Sequence, residues 1–293
     1  MTQGAVPPAV QSFFHRPTNT ITHVVWDPTS RVAAVVDPVL DYEPRSARTA
    51  TAAADAVIAF VERERLDLAW ILETHAHADH LTAAPYIKSK LGGIVAIGEH
   101  IVAVQRTFRR VFNLRRLKVD GSDFDRLLAD GESLRLGDLI VRVMHTAGHT
   151  PACVTYVADD AAFIGDTLFM PDYGTARADF PGGNARTLYR SIRRILALPD
   201  ATRLYLCHDY LPTGGRKDYR YETTVAAERV GNIMAGDTVS EAEFVLERQT
   251  RDRTLTAPAL ILPSLQVNIR AGRLPAPEAN GIAYLRLPLN TIG

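Results

Sequence analysis

Residues 74–80 read THAHADH, so three of the chain's nine histidines and an aspartate fall within six positions. The stretch follows LAWILE (68–73), a short apolar run that reads as a buried strand. His75 and His77 stand two apart, with Asp79 and His80 directly behind. A loop leaving a strand with that spacing can aim side chains into one cavity from two sides. Imidazole and carboxylate together suit borderline first-row metals such as zinc and iron.

The same arrangement recurs downstream. His149 lies in HTAGHT (145–150), where Gly148 permits a tight turn that aims the imidazole inward. Asp166 follows the buried run AAFIG (161–165), and His208 follows RLYLC (203–207). Each therefore sits where a predicted strand ends, and loops held by a rigid sheet are where sites are usually built. A carboxylate in Asp166's position needs a compensating positive charge, which a metal supplies. His145 reads as a packing residue of its strand, and His15, His23 and His100 have no such setting. Cys207, directly before His208, is a second candidate ligand, but at the end of an apolar strand it reads, like Cys153, as a small buried side chain.

Outward from these loops, THVVWD (22–27) and RVAAVVD (31–37) predict a hairpin across PTS. Helices are expected over 48–64, 81–91, 99–112 and 184–198, and in two further segments near 221–232 and 240–249. Strands are expected at 94–97, within 130–146 and at 153–158. The proline-punctuated tail 257–293 resists assignment. With no clear linker, 1–293 reads as a single domain with a C-terminal extension over about 250–293.

Composition sets limits on function. The 293 residues are 46% hydrophobic and 23% charged, with 33 basic and 33 acidic side chains. Zero formal charge gives no surplus to hold nucleic acid or an anionic membrane. Two cysteines without CxxC spacing exclude a disulfide framework and point to a reducing compartment. No apolar run approaches a membrane span, and residues 1–20 lack the basic-then-apolar pattern of a secretory signal. A soluble, cytoplasmic protein is the expectation.

HxHxDH followed by a distant His, Asp and His resembles the metallo-β-lactamase superfamily. The resemblance runs from about residue 20 to about 230. It implies an α/β fold, the αββα four-layer sandwich with mixed sheets and metal at one edge. In the dinuclear hydrolases of that superfamily, His75, His77 and His149 would hold one metal. Asp79, His80 and His208 would hold the second, with Asp166 bridging. ETHAHADHLTAA (73–84), TAGHTPACVTYV (146–157), FIGDTLF (163–169), ARADFPGGNARTLYRSI (176–192) and LCHDY (206–210) look more closely like the persulfide dioxygenases, or sulfur dioxygenases. ARADFPGG departs from the GRTDFQQG of some members.

That family implies one Fe(II) per chain on His75, His149 and Asp166, with His77, Asp79, His80 and His208 orienting ligands or water. It oxidises glutathione persulfide with O2 to sulfite and thiol, incorporating both oxygen atoms. The alternative is a glyoxalase-II-like thioester hydrolase with two zinc ions or a mixed zinc–iron pair. The ligand types alone do not choose between them, and the thiol carrier stays open. Glutathione carries two carboxylates, so basic side chains are expected around it. Arg177, in the loop after Asp166, and Arg216, Lys217 and Tyr219, just past His208, are the candidates. Arg106, Arg109 and Arg110 read as a solvated helix face. Resembling proteins also imply a homo-oligomer, and sulfide oxidation makes a rhodanese-type sulfurtransferase a plausible pathway neighbour.

Overall fold

The structure, a computed structural model, describes residues 6–291. Residues 1–5, part of the stretch read as lacking a secretory signal, and 292–293 at the end of the tail lie outside the described residues.

The first half builds one sheet. Ala9–His15 (β1), Thr20–Trp26 (β2) and Val32–Val36 (β3) run antiparallel in sequence, so the expected hairpin is present. Val39–Glu43 (β4), Arg48–Ala50 (β5) and helix Ala52–Arg63 (α1) follow. Asp67–Glu73 (β6) then pairs parallel to β3. Beyond it come Leu81–Thr82 (β7), helix Ala84–Leu91 (α2), Ile94–Gly98 (β8), helix Ile101–Val111 (α3) and Arg126–Leu128 (β9). The sheet order is β1-β2-β3-β6-β8-β9, with a small separate sheet β5-β4-β7.

The second half builds the other sheet. Its strands are Ser133–Leu136 (β10), Leu139–His145 (β11), Val154–Ala158 (β12) and Ala161–Phe163 (β13). Helix Ala185–Leu196 (α4) crosses to Arg203–Tyr205 (β14), parallel to β13, and Glu222–Thr224 (β15) closes the edge. Helices Val225–Gly231 (α5), Glu241–Asp252 (α6) and Ile261–Asn268 (α7) complete the chain. Among the described residues, no helix is long and apolar enough to cross a membrane.

Alternation along the strands makes the layers. In β3, Val35 faces α1, α2 and α3, while Ala34 and Val36 face the opposite sheet. In β11, Leu139, Val141 and Val143 point inward and Ile140 and Arg142 outward. Trp70, Leu72, Tyr156, Phe163 and Tyr205 fill the space between the sheets. Leu188, Ile192 and Ile195 of α4 and Phe244 of α6 cover the outer face of the second sheet. The order helix, sheet, sheet, helix is the expected αββα sandwich.

Three expectations shift. Residues 48–50 form β5 rather than the start of a helix, and β-branched Thr49 pairs opposite Tyr42 of β4. Leu81–Thr82 pairs with β4 before α2 begins. Residues 222–224 pair with β14, and Thr224 then caps α5 by accepting from the Ala227 amide, so the helix starts later than expected. The tail contains α7, whose position matters below.

Candidate metal centre

The site sits where strands end. Asp37 follows β3, Thr74–His80 follow β6, Thr146–His149 follow β11, Gly165-Asp166 follow β13 and Cys207-His208 follow β14. Two glycines make this convergence possible. Gly148, at φ +142°, passes so close to α4 that a Cβ would lie 2.3 Å from Leu188 Cα. Gly165, at φ +51°, lets Asp166 turn beneath Thr74, where a Cβ would meet the Thr74 hydroxyl at 2.7 Å.

His75, His149 and Asp166 offer one donor atom each, all within 4.8 Å of one another. His75 Nε2 is 4.0 Å and His149 Nε2 3.7 Å from Asp166 Oδ2. His77, Asp79, His80 and His208 form a second such set. His208 Nε2 lies 3.1 Å from Asp79 Oδ2 and 3.5 Å from Asp166 Oδ1, so Asp166 stands between the two sets. The structure thus brings together all seven residues that the sequence singled out for metal.

Their polar atoms fit a cation. His75 Nε2, Asp79 Oδ2, His80 Nε2, Asp166 Oδ1 and His208 Nε2 are buried without a hydrogen-bond partner among the described residues. Each such group costs about 1–3 kcal/mol when left unpaired, and these five converge on one place. Their far sides are tied down. His149 Nδ1 is 2.8 Å from the Arg177 carbonyl, and His208 Nδ1 is 3.1 Å from the Asn19 carbonyl. A ring anchored through Nδ1 to a backbone carbonyl is held with Nε2 aimed into the cluster.

Electrostatics follow from burial. Burial, with the neighbouring imidazoles, holds His75 well below its usual value and brings His80 down to about 4. Both therefore stay neutral. Burial would also lower His77, but the Asp37 carboxylate 2.9 Å from its Nε2, with Glu73 at 3.4 Å, holds it well above its usual value. Asp79 resists burial because the His208 imidazole beside it keeps its carboxyl below the ordinary range. Burial raises the Cys153 thiol to about 12 and the Cys207 thiol well above the ordinary thiol range, so both stay protonated. The remaining histidines are otherwise engaged: His23 with the Leu206 carbonyl, His145 with the Pro151 carbonyl, His15 with Thr18 and Asp41, and His100 stacked on His145.

A cleft of about 710 Å³ opens onto Asp79, His149 and Asp166, within the size range of small-molecule sites. Phe169, Tyr173, Tyr210 and Leu255–Leu260 form much of its wall. Arg177 lines it, but its guanidinium is bidentate to Asp179 at 2.5 and 2.7 Å and donates to the Thr256 carbonyl at 2.7 Å. Arg216, Lys217 and Tyr219 are not in the cleft wall. Arg216 turns inward to Asp209 and Asp172, because fully buried Asp209 requires a counter-charge. Tyr219 packs against Phe14 with its ring tilted, and Lys217 is exposed.

The sequence reading passed over four residues. Asp37 accepts from the Thr74 amide at 2.7 Å, the Thr74 hydroxyl at 2.8 Å and His77 Nε2. Glu73, buried beside it, accepts from the Thr82 hydroxyl. Asp37 ends an apolar strand as Asp166 does, which was the available signal. Tyr210, two positions after His208, faces the cleft, and burial raises its hydroxyl well above the ordinary range, so it remains a neutral donor. Asn268 of α7 donates to the carbonyls of His77 at 2.8 Å and His80 at 2.7 Å, and accepts from the Thr82 amide at 2.9 Å.

Comparison with known proteins agrees with this geometry. A probable metallo-hydrolase of Burkholderia pseudomallei is 54% identical over 97% of this chain and 99% of its own. Glyoxylase B2 of Dictyostelium discoideum is 47% identical over 91% of this chain and 92% of its own. The human mitochondrial persulfide dioxygenase ETHE1 is 32% identical over 70% of this chain and 69% of its own. The crystal structure of ETHE1 from Myxococcus xanthus superposes with a TM-score of 0.72 at 28% identity, covering 90% of this chain and all of that one. Residues 17–208 match the family model described as the metallo-beta-lactamase superfamily. With the sandwich, the seven donors and this match together, the chain belongs to the metallo-beta-lactamase superfamily.

Proposed function

We propose that the protein is a non-haem Fe(II) persulfide dioxygenase acting on glutathione persulfide or a similar thiol persulfide. The observation that carries this reading is the set His75, His149 and Asp166. Two imidazoles and one carboxylate face one point at the foot of an open cleft. That is the donor set of non-haem Fe(II) oxygenases. Likeness to the persulfide dioxygenases in sequence and in fold supports it.

His75, His149 and Asp166 would hold the iron, which supplies redox chemistry that zinc lacks. The overall reaction balances as RSSH + O2 + H2O giving RSH + sulfite + 2H⁺, with the outer sulfur oxidised by four electrons and both O2 atoms reduced. The chain's own residues bind and orient. The Arg177 and Asn19 carbonyls fix the rings of His149 and His208. Phe169, Tyr173 and the 255–260 segment exclude water from the foot of the cleft. Tyr210 offers a neutral hydroxyl to donate to bound substrate.

A specific observation favours a second reading. Asp79, His80 and His208, with His77 beside them, form a second donor set next to Asp166, as a dinuclear thioester hydrolase requires. The names of the more similar relatives lean the same way. The discriminating assay supplies glutathione persulfide and a glutathione thioester to the same preparation. Persulfide-dependent O2 uptake with sulfite formation supports the dioxygenase. Thioester hydrolysis without O2 uptake replaces it with the hydrolase.

A further inference from the structure

The metal donors lie within residues 17–208, the segment that matches the family model, whereas much of the cleft wall does not. Arg248, Arg251 and Leu255–Leu260 come from α6 and the segment behind it. Three arginines line the cleft among the described residues, and two are already neutralised. Arg177 is held by Asp179. Arg248 is buried against Asp252 at 2.7 Å and donates to the Thr175 carbonyl at 3.0 Å.

Arg251 differs. Its guanidinium lies over the Tyr173 ring, 5.2 Å from the centroid, and its one side-chain hydrogen bond among the described residues is to the Met234 sulfur at 4.0 Å. Among the described residues it forms no ion pair. The contact with Tyr173 holds the guanidinium in place, and apart from the long bond to the Met234 sulfur its N–H donors have no partner among the described residues. A half-buried cation so held in a cleft wall matches a carboxylate, the group a guanidinium binds in bidentate fashion. The cleft's own acids do not serve: Asp79 and Asp166 belong to the metal cluster, and Glu43 forms its bond to the Arg45 amide.

We propose that Arg251 recognises a carboxylate of the thiol carrier, and so selects an acidic carrier such as glutathione over a neutral one. This rests on the proposed activity for the identity of the substrate, but the binding itself is readable without turnover. Arg251 acts on binding and not on the reacting sulfur.

The test uses the iron-loaded protein, glutathione and its diethyl ester. Calorimetry measures binding of each to the wild type, Arg251→Gln and Arg251→Lys. Oxygen uptake measures KM and kcat for the corresponding persulfides. Glutathione should bind the wild type at least tenfold more tightly than the diester does. Arg251→Gln should weaken glutathione binding about tenfold or more, the effect of losing one charge-assisted bond, and leave diester binding unchanged. Arg251→Lys should recover part of the loss. KM for glutathione persulfide should rise in step, with kcat within about twofold of the wild type.

Equal affinity of the wild type for glutathione and its diester would overturn the assignment and needs no variant to fold. Unchanged glutathione affinity in Arg251→Gln would do the same, as would no measurable glutathione binding by the wild type. If calorimetry shows the expected pattern while no persulfide consumes O2, the carboxylate site stands and the dioxygenase reading falls.

Discussion

The Asn268 side chain donates to the carbonyl of His80 across 2.7 Å, so a helix near the end of the chain holds the loop that begins the metal cluster. The same amide group reaches the His77 carbonyl and the Thr82 amide. Asn268→Ala leaves three buried backbone groups without their partner. We expect a loss on the order of 3 kcal/mol, given about 1–3 kcal/mol per unsatisfied group with partial relaxation. Thermal unfolding should show a Tm lower by several degrees. Metal loss to a chelator should be faster than in the wild type. Unchanged Tm and unchanged metal retention would show that the loop holds its shape unaided.

Gly148 sets the approach of His149 to Asp166. In Gly148→Ala the new Cβ meets the backbone of Leu188 at 2.3 Å, and backbone in α4 cannot swing aside. Gly92, at φ +77° and ψ −148°, has nothing within 4 Å, so Gly92→Ala carries only the backbone penalty, about 1–3 kcal/mol. Gly148→Ala adds the clash to its own backbone strain, so it should destabilise by more and bind less metal, while Gly92→Ala keeps full metal content. Denaturant unfolding and elemental analysis of both variants check this. Equal losses would mean that the α4 contact is soft.

Much of this was readable before the structure. β11 was readable as a strand from the apolar run LIVRVMH, though apolar Ile140 faces outward, and each metal donor stands after the end of an apolar run. What failed to show had physical causes. Asn268 lies in a short helix that contains Pro263 and has buried residues on most sides, so no periodicity marks it. Arg216 follows His208 closely along the chain, but sequence cannot reveal that buried Asp209 will claim its guanidinium. Arg251 lies 43 positions beyond His208, and only the packing of α6 beside the cleft brings it to the wall. β15 was hidden because ETT is too short to carry a pattern and runs directly into α5.

His75 and Asp79 separate the two readings of the metal. In the dioxygenase, His75→Ala removes a ligand and should abolish both iron binding and turnover. Asp79 then only orients its neighbours, and such outer groups typically change affinity or activity 10–100-fold. Asp79→Ala should keep about one iron per chain at saturating Fe(II) and turn over more slowly. Elemental analysis of the two variants decides. An Asp79 variant that drops from two metals to one per chain would favour the dinuclear hydrolase.

Glu228, on the buried side of α5, gives a pH signature away from the metal. Burial raises its carboxyl from 4.5 to about 8, against the Asn232 amide that donates to it at 2.6 Å. Between those values the folded chain holds a proton that the unfolded chain has released. Stability therefore falls as pH rises from about 4.5 through 8. Glu228→Gln removes this dependence. Its Tm should gain on the wild type by more at pH 8.5 than at pH 5. A difference in Tm that is the same at both pH values would show that Glu228 ionises normally.

The central claim is one redox-active metal on His75, His149 and Asp166. The most direct measurement is persulfide-dependent O2 uptake as metal-free protein is titrated anaerobically with Fe(II) before oxygen is admitted. The account predicts activity that rises linearly and saturates at one iron per chain, with zinc giving none. Activity absent with iron at any ratio, or glutathione-thioester hydrolysis appearing only at two metals per chain and supported by zinc, would contradict it.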